Sequence, residues 1–240
     1  MIDAVMLVAH GSADPRAAAT TRALGRAVAA ARPGLDVRTA YLEHAGPRPG
    51  DVLAGMAQVG HGSAAVVPLL LTCAYHGRVD LPAVLAAAGT AGLAAPPRVT
   101  DVLGPVGGVV PARLLAGLRR RLHEAATGYD AVVLAAAGTR DATARTTVDD
   151  VATALGAELG VPCLAGYASA APPAAGDAVV RLRAGGARRV AVAAYFLATG
   201  QLYRTAVDSA RAAGAVAVSE PLGAAREVAG LVLDRVSAVG

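Results

Sequence analysis

Two of the five histidines in these 240 residues stand where an α/β protein keeps its reactive groups. His10 follows the apolar run Ala4-Val5-Met6-Leu7-Val8-Ala9 and precedes Gly11-Ser12, and His76 lies just past a second apolar run at residues 64–71. A neutral imidazole binds Fe, Co, Ni or Zn, and its pKa of about 6.5 also lets it take a proton near neutral pH. Two such ligands do not close a structural zinc site, which takes four. They leave positions on an ion open to water or to an incoming ligand, which suits an ion that must be handed on.

Other groups near the pair are weaker candidates. Glu43 ends a further strand-like stretch and either adds a carboxylate to the same rim or is a solvated acid. Arg16 and Arg78 flank the two histidines and suit acidic groups, because the guanidinium fork binds carboxylates bidentately. Ser12, in a Gly-Ser step before a helix, could hold an anion. Cys73 is either a soft ligand or a small buried hydrophobe. His44 reads as exposed, His61 as a surface residue in the turn Gly60-His61-Gly62, and His123 as one face of a helix.

The elements that must position these groups follow from hydrophobic patterning. Short apolar runs at residues 4–9, 37–42, 64–71 and, more weakly, 99–103 read as strands. Between them lie Ala-rich amphipathic stretches. One starts at Asp14-Pro15, an N-cap followed by proline at the first helical position, and stops at Pro33-Gly34. Others follow Pro49 and Asp80-Leu81-Pro82 and cover residues 111–126. Strand–helix alternation predicts an α/β fold with a parallel sheet and helices on both faces. In the flavodoxin-like order 2-1-3-4, the first and third strands are neighbours whose carboxyl ends border the ligand crevice. His10 and His76 then face one cleft.

The second half repeats the first. Residues 131–141 align with residues 4–14 at an offset of 127, and residues 190–197 with 64–71 at an offset of 126. The expectation is two similar flavodoxin-like domains, each a four-stranded parallel sheet: residues 1–127, carrying the histidines, and residues 128–240, lacking them. Where the first copy has His10 the second has Ala137, and where the first has His76 the second has Leu202. The apolar scaffold is kept twice and the imidazoles once, which favours function over packing.

Composition excludes several classes. With 55% hydrophobic and 17% charged residues the chain is not disordered. All 22 basic residues are arginine, so neither a lysine Schiff base nor a Walker-A lysine exists. The absence of Trp and the single Phe, with scattered charge totalling +4, argue against nucleic acid. No apolar run reaches membrane-spanning length, and Met1-Ile2-Asp3 opens no signal peptide, so a cytoplasmic protein is expected. Two isolated cysteines make neither a disulfide framework nor a metal cage.

The segment Leu7-Val8-Ala9-His10-Gly11-Ser12-Ala13-Asp14-Pro15-Arg16 resembles the opening motif of the sirohydrochlorin chelatases, small enzymes of sirohaem and cobalamin synthesis. Val67-Pro68-Leu69-Leu70-Leu71 with Ala74-Tyr75-His76 and Arg78-Val79-Asp80-Leu81-Pro82 resembles their second motif, and Tyr41-Leu42-Glu43 the acid-bearing segment between. Tyr167-Ala168-Ser169-Ala170 and the stretch from Ala194 through Tyr195 and Phe196 to Gly200 are similar to the degenerate repeat of two-domain members. The resemblance implies insertion of Co2+, Fe2+ or Ni2+ into sirohydrochlorin, with His10 and His76 holding the ion and His10 accepting pyrrole protons. It further implies that Leu71, Thr72, Cys73, Ala74 and Tyr75 line the macrocycle site with Glu43 beside them. Ser12, Arg16 and Arg78 are then expected near the substrate's carboxylates, with a cleft between the domains for the macrocycle. The ion is substrate, no permanently bound cofactor is implied, and a monomer or weak homodimer is expected, with no nucleic-acid or membrane partner. Thr72-Cys73 and Gly77 depart from the family pattern and put loop shape and metal preference in question. A metal or tetrapyrrole carrier using the same pair is the alternative. A phosphohistidine phosphatase is disfavoured because Ala9 stands where that family has an arginine.

Overall fold

The computed structural model describes residues 2–72 and 81–240. Four strands, β1 (Ala4–Ala9), β2 (Asp36–Tyr41), β3 (Ala64–Pro68) and β4 (Arg98–Val99), form one sheet in the order β2-β1-β3-β4. A second sheet has β5 (Ala131–Ala136), β6 (Cys163–Tyr167), β7 (Val190–Ala194) and β8 (Ala217–Val218) in the order β6-β5-β7-β8. The pairings are parallel throughout. Both sheets therefore have the flavodoxin-like order expected from the alternating pattern, once per repeat.

The helices are α1 (Pro15–Ala31), α2 (Pro49–Gln58), α3 (Leu81–Ala88), α4 (Ala112–Ala125), α5 (Ala142–Leu159), α6 (Ala175–Ala184), α7 (Gln201–Ala212) and α8 (Arg226–Ser237). Helix α1 starts where the sequence places it, with Pro15 in its first turn and the Asp14 carboxylate accepting from the Arg16 backbone N–H at 3.0 Å. Strands β3, β5 and β7 are buried along their whole length. Covering both faces of a parallel sheet produces such unbroken apolar runs. On one face of the first sheet Ala4, Met6, Val8 and Val66 pack with Val52, Leu53 and Met56 of α2 and Leu81 and Leu85 of α3. On the other, α1 lies over Leu7, Val37 and Thr39.

Three strand ends differ from the sequence reading. Strand β3 stops at Pro68 rather than at residue 71, because the Leu70 N–H turns back to the Pro68 carbonyl at 2.9 Å. Strand β2 covers residues 36–41, one residue earlier than read. The weak strand expected at 99–103 is reduced to Arg98–Val99, both exposed at the sheet edge.

Packing divides the chain differently from the repeat. One compact unit joins Met1–Val106 to Ala224–Gly240, and the other is Gly107–Gly223. The expected division at 127/128 marks the sequence duplication, whereas the closing helix of each repeat belongs to the other repeat's unit. Helix α8 packs on α1 and β3, and α4 on α5, β7 and β8. Each helix has an apolar face to bury: Leu114, Leu115, Leu118 and Leu122 on α4, and Val228, Leu231, Val232 and Val236 on α8. Polar ties fix α8 in the first unit. Arg235 donates to the Val102 and Gly104 carbonyls, both at 2.8 Å, and Arg98 to the Val239 carbonyl at 2.6 Å. Among the described residues no helix is long and apolar enough to cross a membrane.

Candidate metal centre

The site begins where the β1–β2 ladder runs past its formal end. Ala9 pairs with Tyr41 in register, the Leu42 N–H then donates to the Ala9 carbonyl at 3.0 Å, and the Glu43 N–H to the His10 carbonyl at 2.8 Å. Between them the chain must turn, and Gly11 does so at φ +101°. A Cβ at Gly11 would lie 1.9 Å from the Glu43 carbonyl oxygen, so only glycine lets the two segments come this close. The side chains on either side of this backbone contact then share one edge. His10 Nε2 lies 3.7 Å from Glu43 Oε2.

The same carboxylate oxygen lies 3.6 Å from His44 Nε2. His44 has φ +60°, a left-handed conformation that is uncommon outside glycine but enriched for His among other residues. Its loop is held from within: the Ala45 N–H donates to the Glu43 carbonyl at 2.6 Å and the Tyr41 N–H to the Pro47 carbonyl at 3.0 Å. The Arg48 guanidinium donates to the Leu42 carbonyl. Side-chain exposures of 37% for His10, 60% for Glu43 and 50% for His44 leave all three within reach of a ligand from solvent. An imidazole nitrogen and a carboxylate oxygen at such spacing form a hard–borderline donor pair for a divalent ion.

The second repeat keeps the frame and loses the chemistry. A Cβ at Gly138 would meet the Ser169 carbonyl oxygen at 1.9 Å. The Ser169 N–H donates to the Ala137 carbonyl at 3.2 Å, Ala171 N–H to Ser169 at 2.8 Å and Tyr167 N–H to Pro173 at 2.9 Å. Ala170 takes φ +62°. The positions of His10, Glu43 and His44 are thus filled by Ala137, Ser169 and Ala170. Sequence reasoning singled out His10 and Glu43 and set His44 aside as exposed. His44 is exposed as read, and its counterpart in the duplicate is an alanine, Ala170, as that of His10 is Ala137.

The remaining sequence candidates fall in different places. Leu71 and Thr72 are half-buried beyond the end of β3. Cys73, Ala74, Tyr75, His76 and Arg78 lie outside the described residues. The Ser12 hydroxyl accepts the Asp14 N–H at 3.1 Å, and Thr139 does the same for Asp141 at 3.1 Å, so this hydroxyl serves the helix-opening turn in both repeats. Arg16 pairs with Asp14 at 2.7 Å with its side chain 65% exposed. His61 is not the free surface residue its turn suggested: it is half-buried, with Nε2 3.1 Å from Asp36 Oδ2. Burial disfavours the Asp36 charge, but hydrogen bonds and charge from Arg38 and His61 more than offset it and hold its carboxyl below the ordinary 3.8. Burial pushes the Cys163 thiol up to about 12, so it is protonated at neutral pH.

Comparison with solved structures places this architecture. SirB from Bacillus subtilis with Fe3+ matches with a TM-score of 0.81 and 22% identity, over 100% of this chain and 96% of that one. The sirohydrochlorin chelatase SirB from Bacillus subtilis subspecies spizizenii in complex with cobalt gives 0.79 and 21%, over 100% and 95%. CbiX, described as the terminal enzyme for biosynthesis of siroheme in denitrifying bacteria, gives 0.67 and 22%, over 98% and 99%. At such identities the likeness is one of fold. A comparison with curated protein sequences gives no match. The CbiX family model matches twice, over residues 4–122 and 131–239, once per repeat. The chain belongs to the CbiX family.

Proposed function

We propose that the protein is a chelatase that inserts a divalent ion, Co2+, Fe2+ or Ni2+, into the tetrapyrrole sirohydrochlorin for sirohaem or cobalamin synthesis. The observation that supports this reading is the His10–Glu43 pair, 3.7 Å apart at the open carboxyl edge of the first sheet and stripped to Ala137 and Ser169 on a matching frame in the second. It agrees with the family and with two neighbours in fold that carry iron and cobalt.

In this mechanism His10 and Glu43 hold the ion from one side and His76 adds a second imidazole. A few protein ligands strip part of the hydration shell yet leave the ion weakly held, so ring nitrogens can displace them. Four metal–nitrogen bonds form, two of them at nitrogens whose N–H bonds break and two by lone pairs already present, and the incoming double charge replaces two departing protons. His10 Nε2, vacated as the ion leaves, accepts one proton, and the other passes to solvent at this exposed edge. Leu71, Thr72, Cys73, Ala74 and Tyr75 contact the macrocycle, while Ser12, Arg16 and Arg78 meet its carboxylates. The ion is substrate, no resident cofactor takes part, and the enzyme works in the cytoplasm as a monomer or weak homodimer without nucleic acid or membrane.

The test follows the absorption spectrum of sirohydrochlorin with each ion under anaerobic conditions. The full chain is expected to exceed the spontaneous rate over many turnovers, His10→Ala and His76→Ala to lose that increment, and His123→Ala to retain it. A His10→Ala rate equal to wild type removes the reading. One stoichiometric transfer without turnover makes the protein a carrier instead.

A further inference from the structure

His44 is not needed by the loop that carries it. Ala170 adopts the same left-handed conformation, φ +62° against +60°, inside the same set of backbone hydrogen bonds. The turn therefore asks for a backbone geometry, and the imidazole is an addition found in the first repeat alone. It stands together with His10 and Glu43, which the duplicate also lacks. Its Nε2 points at the carboxylate oxygen that also faces His10.

We propose that His44 is a further metal ligand, forming with Glu43 an outer position that receives the incoming divalent ion before it moves to His10. The proposal rests on the reading that His10 and Glu43 take the ion. Two donors bonded at about 2.1 Å to a tetrahedral ion stand roughly 3.4 Å apart. The separations of 3.6 Å to His44 and 3.7 Å to His10 are each a few tenths of an ångström from that arrangement. Among the described residues no three of His, Cys, Asp or Glu gather closely enough to hold one ion. For His10, Glu43 and His44 this favours two positions sharing Glu43 over one cage made of these three. The His44 side chain, 50% exposed against 37% for His10, is the solvent-side member.

Charge supports a cation here. The chain has 22 arginines, yet among the described residues the ionic partners of Glu43 are the two imidazoles alone. The nearby Arg48 is turned to the backbone carbonyls of Tyr41 and Leu42. The carboxylate thus keeps its charge for an ion arriving from water. A carboxylate shared by two imidazoles lets the ion exchange one nitrogen for another without being released.

The experiment measures Co2+ binding by the full chain without tetrapyrrole, by calorimetry, and the dependence of chelation rate on Co2+ concentration. His44→Ala and His44→Asn are compared with wild type and His10→Ala. Alanine is accommodated at the equivalent position 170, and asparagine tolerates a positive φ, so circular dichroism melts are expected to match wild type. Loss of His44 is expected to weaken Co2+ binding about tenfold and to raise the KM for Co2+ by a similar factor, with a much smaller change in kcat. Wild-type Co2+ affinity and KM in both His44 variants, with His10→Ala inactive, overturn the role of His44 and leave the chelatase reading standing. A loss in kcat with KM unchanged also overturns it. Wild-type activity in His10→Ala defeats the underlying reading instead.

Discussion

Ionising a half-buried carboxylate costs free energy, and Asp36 recovers it from two neighbours, the Arg38 guanidinium and the His61 imidazole. Arg38 pairs with it at 2.7 Å and His61 at 3.1 Å. Because the folded pKa lies below the ordinary 3.8, the stability this arrangement adds is present above that value and is lost as pH falls through the lower folded one. Thermal melts of wild type and Asp36→Asn should differ by about 1 kcal/mol at pH 6 and converge as the pH falls well below the ordinary 3.8. A constant gap across that range would contradict the assignment. His61→Ala should cost a similar amount at pH 6 and leave metal insertion intact. Position in the chain hid this pairing, since residues 36 and 61 meet only after β2 and β3 are laid on either side of β1. His44 was hidden for a different reason: a left-handed residue has no local signature when its side chain is polar and exposed. Comparison with the duplicate, which marked His10, would have marked it too.

The two glycine turns offer a matched test of which repeat does the chemistry. Gly11→Ala and Gly138→Ala each drive a Cβ to 1.9 Å from a carbonyl oxygen, at Glu43 and Ser169 respectively. Both should lose roughly 2 kcal/mol or more of stability, because positive φ and the clash act together. Only Gly11→Ala should also lose Co2+ binding, since it alone separates His10 from Glu43. Equal loss from both would place the site elsewhere. Strand and helix order was legible because unbroken apolar runs and amphipathic stretches alternate at ordinary lengths. The end of β3 was not: beyond it Leu69 stays buried and its N–H still donates to the Val8 carbonyl at 2.8 Å, so hydrophobicity runs on past the formal strand. The shortness of β4 escaped notice because Val102 and Leu103 are buried beyond it, with the Leu103 N–H donating to the Leu70 carbonyl at 2.8 Å. That Glu43 would stand beside His10 was readable only as a rim position, since the 2.8 Å backbone bond joining them depends on register.

The first unit is not a continuous stretch of chain: it is closed by residues 224–240, while residues 107–223 form the second. An amphipathic helix advertises that it has a face to bury but not which sheet receives it, so the exchange of α4 and α8 is invisible in the pattern that defines the repeat. Residues 1–127 made alone would lack α8, whose Val228, Leu231, Val232 and Val236 are buried in the first unit. At about 1.5–3 kcal/mol per buried side chain, their loss rivals the 5–15 kcal/mol net stability of a typical domain. The fragment is expected to show no cooperative melt, whereas Leu231→Ala in the full chain should melt cooperatively with about 2–5 kcal/mol lost. A fragment as stable as the whole would refute the packing. The same exchange sets an order of events during synthesis. The strands of the first sheet leave the ribosome early, yet the part of one face beside α1, over β3, stays uncovered until residues 224–240 emerge. Throughout that interval the nascent chain presents a sticky surface, and a holdase that shields it would raise the yield of active protein.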